Sequence, residues 1–285
     1  MATHNQVRLV GYLLKDPRII NEGQEGAEQI LFQLRTVRRK IEGNREDPYA
    51  DVIVYYDDTS RGSLMNKLKD LHKFDIVDIK GVFNILPVHK KSKCSICGHI
   101  NTKYQATSTV VYPINLTRIG SYLGYYDEKG ESPDSILMKN YKEISNQCII
   151  FGTVVSSPEL INDRSGNTCC RYELGVNRKY YIRTQDDKHA DYPWVYSYGK
   201  QADRDSKYLS RQSEIFIDAF IHNERIMTKH TCENCNSVYS YPDIGTQFTP
   251  YSVEYVSNYK TDADLEREAE NARRRRIHGE LEDEE

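Results

Sequence analysis

The feature that most constrains this chain is an internal duplication. Asn5-Gln6-Val7-Arg8-Leu9-Val10-Gly11 leads to Asp16-Pro17, and Asn146-Gln147-Cys148-Ile149-Ile150-Phe151-Gly152 leads to Ser157-Pro158. Asn, Gln, Gly and Pro recur at one offset of 141 residues. Three further features follow in the same order in both halves: Phe32–Lys40 against Tyr172–Tyr180, Asp51–Tyr56 against Pro193–Tyr198, and Cys94-x-x-Cys97 against Cys232-x-x-Cys235. A duplication requires one architecture that serves twice.

Each half reads as short strands, so the expected fold class is all-β. Val7, Leu9, Gly11 and Leu13 alternate with period two, as do Phe32, Leu34 and Thr36. Asp75–Phe83 and Glu214–Ile221 are β-branched and aromatic runs. One helical piece falls between the third and fourth strands, Ser63–His72 in the first half and Ala202–Ser210 in the second. Last strands are expected at Ser108–Leu116 and Thr249–Val256. Five strands with a short helix between the third and fourth describe an OB-fold barrel, here two in tandem.

The expected division is a first barrel over 1–126, a linker over 127–144, a second barrel over 145–260 and a charged helix with an acidic tail over 261–285. The join Asp127–Asp134 is charged and holds Gly130 and Pro133. The last 25 residues carry a net charge of −5 against −3 for the whole chain, which leaves a mildly basic body of +2. Asp262–Ile277 reads as helix, with disorder expected from Gly279. The tail is either a solvated terminus or an interaction segment that avoids polyanions. With a mean hydropathy of −0.71, no stretch approaches the apolar run that a membrane helix needs. Met1–Asn5 lacks a basic cluster followed by an apolar run, so no secretory signal and a cytoplasmic location are expected.

At these residues the chain resembles the bacterial and phage single-stranded DNA-binding protein family. The resemblance rests on Asn5-x-Val7-x-Leu9-x-Gly11-x-Leu13-x-x-Asp16-Pro17 and on Tyr198-Gly199-Lys200-Gln201-Ala202. It covers about 4–118 and 146–258. It implies non-enzymatic binding of single-stranded DNA without base-sequence preference, in replication, recombination or repair. It also implies stacking roles for Tyr192 and Tyr198, and a homodimer that assembles four barrels. Rival readings are a scaffold of a replication complex and an RNA-binding protein. Three departures stand out. Asp57-Asp58 replaces Gly199-Lys200 in the first half, the CxxC elements are foreign to the family, and the acidic end lacks the family's closing Pro-Phe.

A sequence-tolerant binder of single strands needs cations for phosphates and flat side chains for bases. Arg35, Arg38, Arg39 and Lys40 end one expected strand; Arg178, Lys179 and Tyr180 end its counterpart, and Lys200 follows the last aromatic strand. Tyr192, Trp194, Tyr196 and Tyr198 alternate and so leave one face. Such a strand can equally fill a core. Val195 on the other face, and 22 Tyr against 7 Phe, favour a wet aromatic face. In the first half Tyr55 and Tyr56 point to opposite faces, and Tyr56, which the repeat aligns with Tyr198, is taken as the platform.

Seven cysteines without a secretory signal argue against a disulfide framework. Two CxxC turns at equivalent places point to zinc, which takes four ligands. Either Cys94, Cys97, Cys232 and Cys235 share one ion, or each pair recruits histidines from His89, His99, His222 and His230. The unmatched histidine spacings favour sharing. Cys148, Cys169 and Cys170 read as buried apolar residues. His222-Asn223-Glu224 before Cys232 imitates a zinc deaminase signature, but the gap is too short, and no Walker loop, Gly-x-Ser-x-Gly or HExxH occurs.

Overall fold

A computed structural model describes residues 4–24, 26–40, 47–57, 64–121, 130–162, 166–178 and 189–282. The first repeat supplies β1 (His4–Leu13), β2 (Arg18–Ile20), β3 (Gln29–Val37), β4 (Tyr49–Asp57), α1 (Leu64–Lys69), β5 (Ile76–Lys93) and β6 (Ile100–Gly120). After α2 (Pro133–Asn140) the second supplies β7 (Asn146–Val154), β8 (Glu159–Asn162), β9 (Thr168–Asn177), β10 (Ala190–Asp191), β11 (Trp194–Tyr198), α3 (Gly199–Tyr208), β12 (Glu214–Thr231) and β13 (Val238–Ser257). The chain continues into α4 (Asp262–Glu282), which runs through Gly279 rather than stopping before it.

Pairing closes each repeat on itself. β1 lies antiparallel to both β3 and β5, β3 to β4, and β5 to β6, while β4 meets β6 in parallel at Val54 and Val111. β7, β9, β11, β13 and β12 close the same ring, with β11 and β13 parallel at Val195 and Phe248. Five strands in this order, with a helix before the fourth, are the OB barrel. The barrels join through β1 and β7, antiparallel with Val7 opposite Cys148. Strict alternation fills them: Ala50, Val52, Val54 and Tyr56 of β4 point inward, as do Cys148, Ile150 and Val154 of β7.

The repeated Asn and Gly have structural causes. The Asn5 side chain donates to the Phe83 carbonyl at 3.0 Å and accepts from its amide at 3.1 Å. Asn146 does the same to Ile221, at 2.8 and 3.0 Å. Each amide side chain thus satisfies one buried peptide group in both directions. A Cβ on Gly11 would stand 2.3 Å from the Arg35 carbonyl oxygen, and one on Gly152 2.8 Å from that of Gly175. Only glycine permits those crossings.

Three features depart from the expected layout. The strands flanking each CxxC continue well beyond the barrels: β5 and β6 run for 18 and 21 residues, β12 and β13 for 18 and 20, so each hairpin reaches about 60 Å from end to end. Within the stretch read as linker, α2 starts on the Ser132 cap and buries Ile136 and Leu137 against Val10, Tyr12, Val37 and Ile76. Finally, Val54 and Val195 occupy the same place, each opposite the parallel last strand. That sets an offset of 141 at the third strand, not the 142 that aligns Tyr56 with Tyr198. Tyr56 corresponds instead to Ser197, and Tyr198 to Asp57. Among the described residues no helix is long and apolar enough to cross a membrane.

Candidate nucleic-acid interface and metal centre

Alternation along β11 turns Val195 and Ser197 into the barrel and Trp194 and Tyr196 outward. Trp194 is 37% exposed and Tyr192, just before the strand, 50%. Arg171 stands opposite Tyr196 in the ladder, its guanidinium 4.8 Å from the centre of the Trp194 ring. Glu159 of β8 holds Arg171 at 2.9 Å. Burial pushes the Tyr196 phenol above its ordinary range, and Arg171 opposes that shift. Tyr198 shares the outward parity but is only 5% exposed, because the chain turns into α3 there. Tyr192 and Trp194 border a groove of ≈ 570 Å³ whose far side is Ile85, Thr107 and Thr109 of the first hairpin arm. Nothing in the residue pattern marks Arg171, which follows two buried cysteines in a strand whose outward face carries no periodic signal.

The cations expected from the sequence have diverse settings. Lys40 and Lys200 are exposed. Arg35 forms a two-point pair with Asp51 at 2.9 and 3.2 Å. Arg38 is buried, stacked 5.1 Å over Phe220 with Nε donating to the Asp47 carbonyl. Arg39 pairs with Asp218 at 2.9 Å and lies 3.9 Å over Tyr251, so it bridges the repeats. Arg178 makes a two-point pair with Asp191 at 2.9 and 2.7 Å and donates to the Ile85 carbonyl at 2.8 Å. It therefore clamps the first arm onto the second barrel. Lys179 and Tyr180 lie outside the described residues. Tyr56 is 1% exposed, in the first core with its ring 5.3 Å from Tyr112; the half-buried residue of that pair is Tyr55. Its inward parity leaves Tyr56 no face for a base.

The two barrels do not present the same surface. With Val54 set on Val195, the outward places of Tyr192, Trp194, Tyr196 and Tyr198 are taken in the first barrel by Asp51, Ile53, Tyr55 and Asp57. The second arm also reaches this strand, where the Ile53 amide donates to Asn223 Oδ1 at 2.9 Å.

At the far end of the arms the CxxC turns meet. The sulfurs of Cys94, Cys97, Cys232 and Cys235 lie within 4.8 Å of one another, with Cys94–Cys235 at 3.9 Å and Cys97–Cys232 at 3.6 Å. A tetrahedral ion with sulfur at about 2.3 Å separates its ligands by about 3.8 Å, so four thiolates fit one metal. The turns share one geometry. Cys94 N donates to the His99 carbonyl and Cys232 N to that of Ser237, while Gly98 N and Asn236 N return to the carbonyls of Cys94 and Cys232. Gly98 and Asn236 have φ of 75° and 56°. Burial alone raises the Cys232 thiol, but donors from the Cys235 and Asn234 backbone and the Asn101 amide bring it down to about 6. The four cysteines are thus one cluster and not two cysteine–histidine sites. Tyr239 joins the arms, with its hydroxyl 2.6 Å from Ser92 Oγ and 3.0 Å from Asn101 Nδ2. Lys90 meets Asp243 at 2.6 Å.

A closed five-stranded barrel with a helix before its fourth strand defines the class of OB-fold proteins. Comparison narrows the class. Residues 145–240 match the model of the single-strand binding protein family. A single-stranded DNA-binding protein 1 of Staphylococcus aureus (strain MSSA476) is 30% identical over 84 residues, which are 30% of this chain and 53% of that protein. The chain spans about half the length of the curated relatives it matches. A crystal structure of the wild-type single-stranded DNA binding protein from Thermus aquaticus shares the fold, at a TM-score of 0.57 and 13% identity, over 92% of this chain and 97% of that one. Over residues 145–240 the second repeat is thus similar to the single-strand binding protein family.

Proposed function

We propose that the chain binds single-stranded DNA without base-sequence preference, as a non-enzymatic protein of replication, recombination or repair. The observation that carries this reading is the exposed pair Tyr192 and Trp194, backed by Arg171 and facing a groove between barrel and arm. A stacked base contributes roughly 1–3 kcal/mol. Arg171, Lys200 and Lys40 supply charge, and Tyr196 and Tyr198 extend the aromatic surface. Arg35, Arg39 and Arg178 act chiefly by holding the scaffold. The first barrel, with Asp51 and Asp57 where the second has Tyr192 and Tyr198, mainly positions the arms.

The functional units are the barrels of 1–126 and 145–260, and two chains assemble four of them in the cytoplasm. The acidic end stays off the DNA and is free to meet partner proteins. Cys94, Cys97, Cys232 and Cys235 hold one zinc ion, which supplies no chemistry beyond fixing the two arm tips to each other.

A labelled oligo-dT should bind the intact protein with an affinity that falls steeply and linearly in log salt, through counterion release, and should outcompete poly-U. Absence of binding at low salt overturns the reading. Metal analysis should return one zinc per chain; two per chain, or none, contradicts the shared site.

A further inference from the structure

The face of the first arm turned away from the second carries a stripe of cations and one open aromatic ring. Along β5, Lys90 and Ser92 point to the second arm, where they meet Asp243 and Tyr239. Alternation therefore turns Ile85, His89, Lys91 and Lys93 the other way, and His89, Lys91 and Lys93 are exposed. Across the ladder Lys91 stands opposite Thr102 and Lys93 opposite Ile100. A β-bulge precedes them: Val88 pairs with Ala106 and Lys90 with Lys103, so Tyr104 and Gln105 together oppose His89. A bulge re-aims a side chain, and Tyr104 stands 67% exposed with the His89 ring edge-on at 5.2 Å. Residues 84–107 hold four lysines and no acid. Among the described residues Lys91 and Lys93 form no ion pair.

We propose that this face is a second contact surface for the single strand, which leaves the groove of Tyr192 and Trp194 and runs outward along the first arm. The proposal rests on the single-strand reading above and adds to it a path that no barrel residue supplies. Continuity argues for it. Ile85, Thr107 and Thr109 form the far side of that groove. They lie on the same side of the hairpin as His89, Lys91 and Lys93, since Ile85 stands opposite Thr109 and Pro87 opposite Thr107. From Ile85 to Lys93 the face extends about 27 Å. Charge argues for it as well. Lys91 and Lys93, two residues apart on one strand, are about 7 Å from each other, and each ammonium can meet a phosphate of an extended backbone. Tyr104 offers its ring to an unstacked base, which a single strand presents and a duplex does not.

The second arm does not repeat the stripe. In the shared ladder register His89 becomes Met227, Lys91 becomes Lys229, Lys93 becomes Thr231 and Ile100 becomes Val238. Its strands pair there without a bulge, and Pro242, opposite Met227, takes the place of Tyr104. Over residues 222–247 the acids Glu224, Glu233 and Asp243 outnumber Arg225 and Lys229. The path is therefore one-sided, and each chain leads the strand off along one arm.

The test uses the intact protein and a length series of labelled oligo-dT, with affinity read by anisotropy at several salt concentrations. Lys91→Ala combined with Lys93→Ala should leave short oligonucleotides, held by the groove alone, at parent affinity. On long ones the dependence of log K on log salt should become shallower by about 1.4, roughly 0.7 for each of two phosphates, and the rise of affinity with length should end sooner. Tyr104→Ala should cost about tenfold on long oligonucleotides only. Lys229→Ala, on the second arm, should change neither. All these side chains are exposed, so the urea midpoint of each variant should match the parent's. Parent affinity and salt slope in the double variant overturn the arm path and leave the proposed function standing. A loss of equal size at every length overturns it too, because it places the lysines in the groove's own contact. A loss seen only where the oligo-dT adjoins a duplex overturns the single-strand assignment and gives this face to duplex DNA. If the parent binds no oligonucleotide, the single-strand reading itself has failed.

Discussion

Replacing Arg178 by Met separates a structural role from a DNA contact. The Arg178 side chain is 6% exposed and its partner Asp191 3%. The guanidinium gives Asp191 two hydrogen bonds and the Ile85 carbonyl a third. Asp191 also accepts from the Ile85 amide at 3.2 Å. Met fills much of the space but leaves a buried carboxylate without its cation. Breaking a buried pair from one side costs about 3–5 kcal/mol. The urea midpoint, followed by far-ultraviolet circular dichroism, should fall accordingly. Arg178→Met combined with Asp191→Leu should recover part of the loss, because no charge is then stranded. The affinity of the folded variant for oligo-dT should change little, with an unaltered salt slope. A variant within about 1 kcal/mol of the parent, whose salt slope drops by about one phosphate, would refute this assignment and make Arg178 a DNA contact.

Asn146→Ala should destabilise the protein by about 2–3 kcal/mol, since it strands the buried amide and carbonyl of Ile221; thermal unfolding measures it. Asp243 is held below the ordinary carboxylate range: burial works against this, and the Lys90 ammonium and the Ile244 amide outweigh it. A depressed carboxyl stabilises the fold above its unfolded pKa and loses that contribution as pH falls through the folded value. Stability should therefore drop below about pH 4, by under about 1 kcal/mol for this partly exposed pair, and Asp243→Asn should remove that component. Cys97→Ser should abolish the proposed metal binding and raise hydrogen exchange at the arm tips while the barrels stay protected; unchanged exchange would contradict the proposed pin.

The duplication was legible because its markers do the same physical work twice. Asn5 and Asn146 each satisfy a buried peptide, and Gly11 and Gly152 each allow a strand crossing, so neither position tolerates drift. The third strand was misaligned by one residue because the similarity followed aromatic rings, whereas the register is set by the parallel meeting of β4 with β6. One residue reverses the face of a strand side chain, which is why Tyr56 looked like a platform and lies in the core. The arms beyond Phe83 and Ile221 were invisible to periodicity. In stretches such as His89–Lys93 both faces are polar, the half-buried Lys90 and Ser92 meeting Asp243 and Tyr239, so no apolar alternation marks them. The shared cysteine cluster was legible from equivalence alone, since a CxxC at the same turn of two joined barrels is brought to one place. Arg171 was not, because its importance comes from standing across the ladder from Tyr196.

Trp194 is the only tryptophan of the chain, so its emission reports the proposed contact surface directly. Titrating the intact protein with oligo-dT at low salt should quench that emission saturably, and added salt should restore it. Trp194→Ala should weaken binding by roughly 1–3 kcal/mol. Oligonucleotide that binds with emission unmoved, and an alanine variant of full affinity, would place the strand elsewhere and contradict the account.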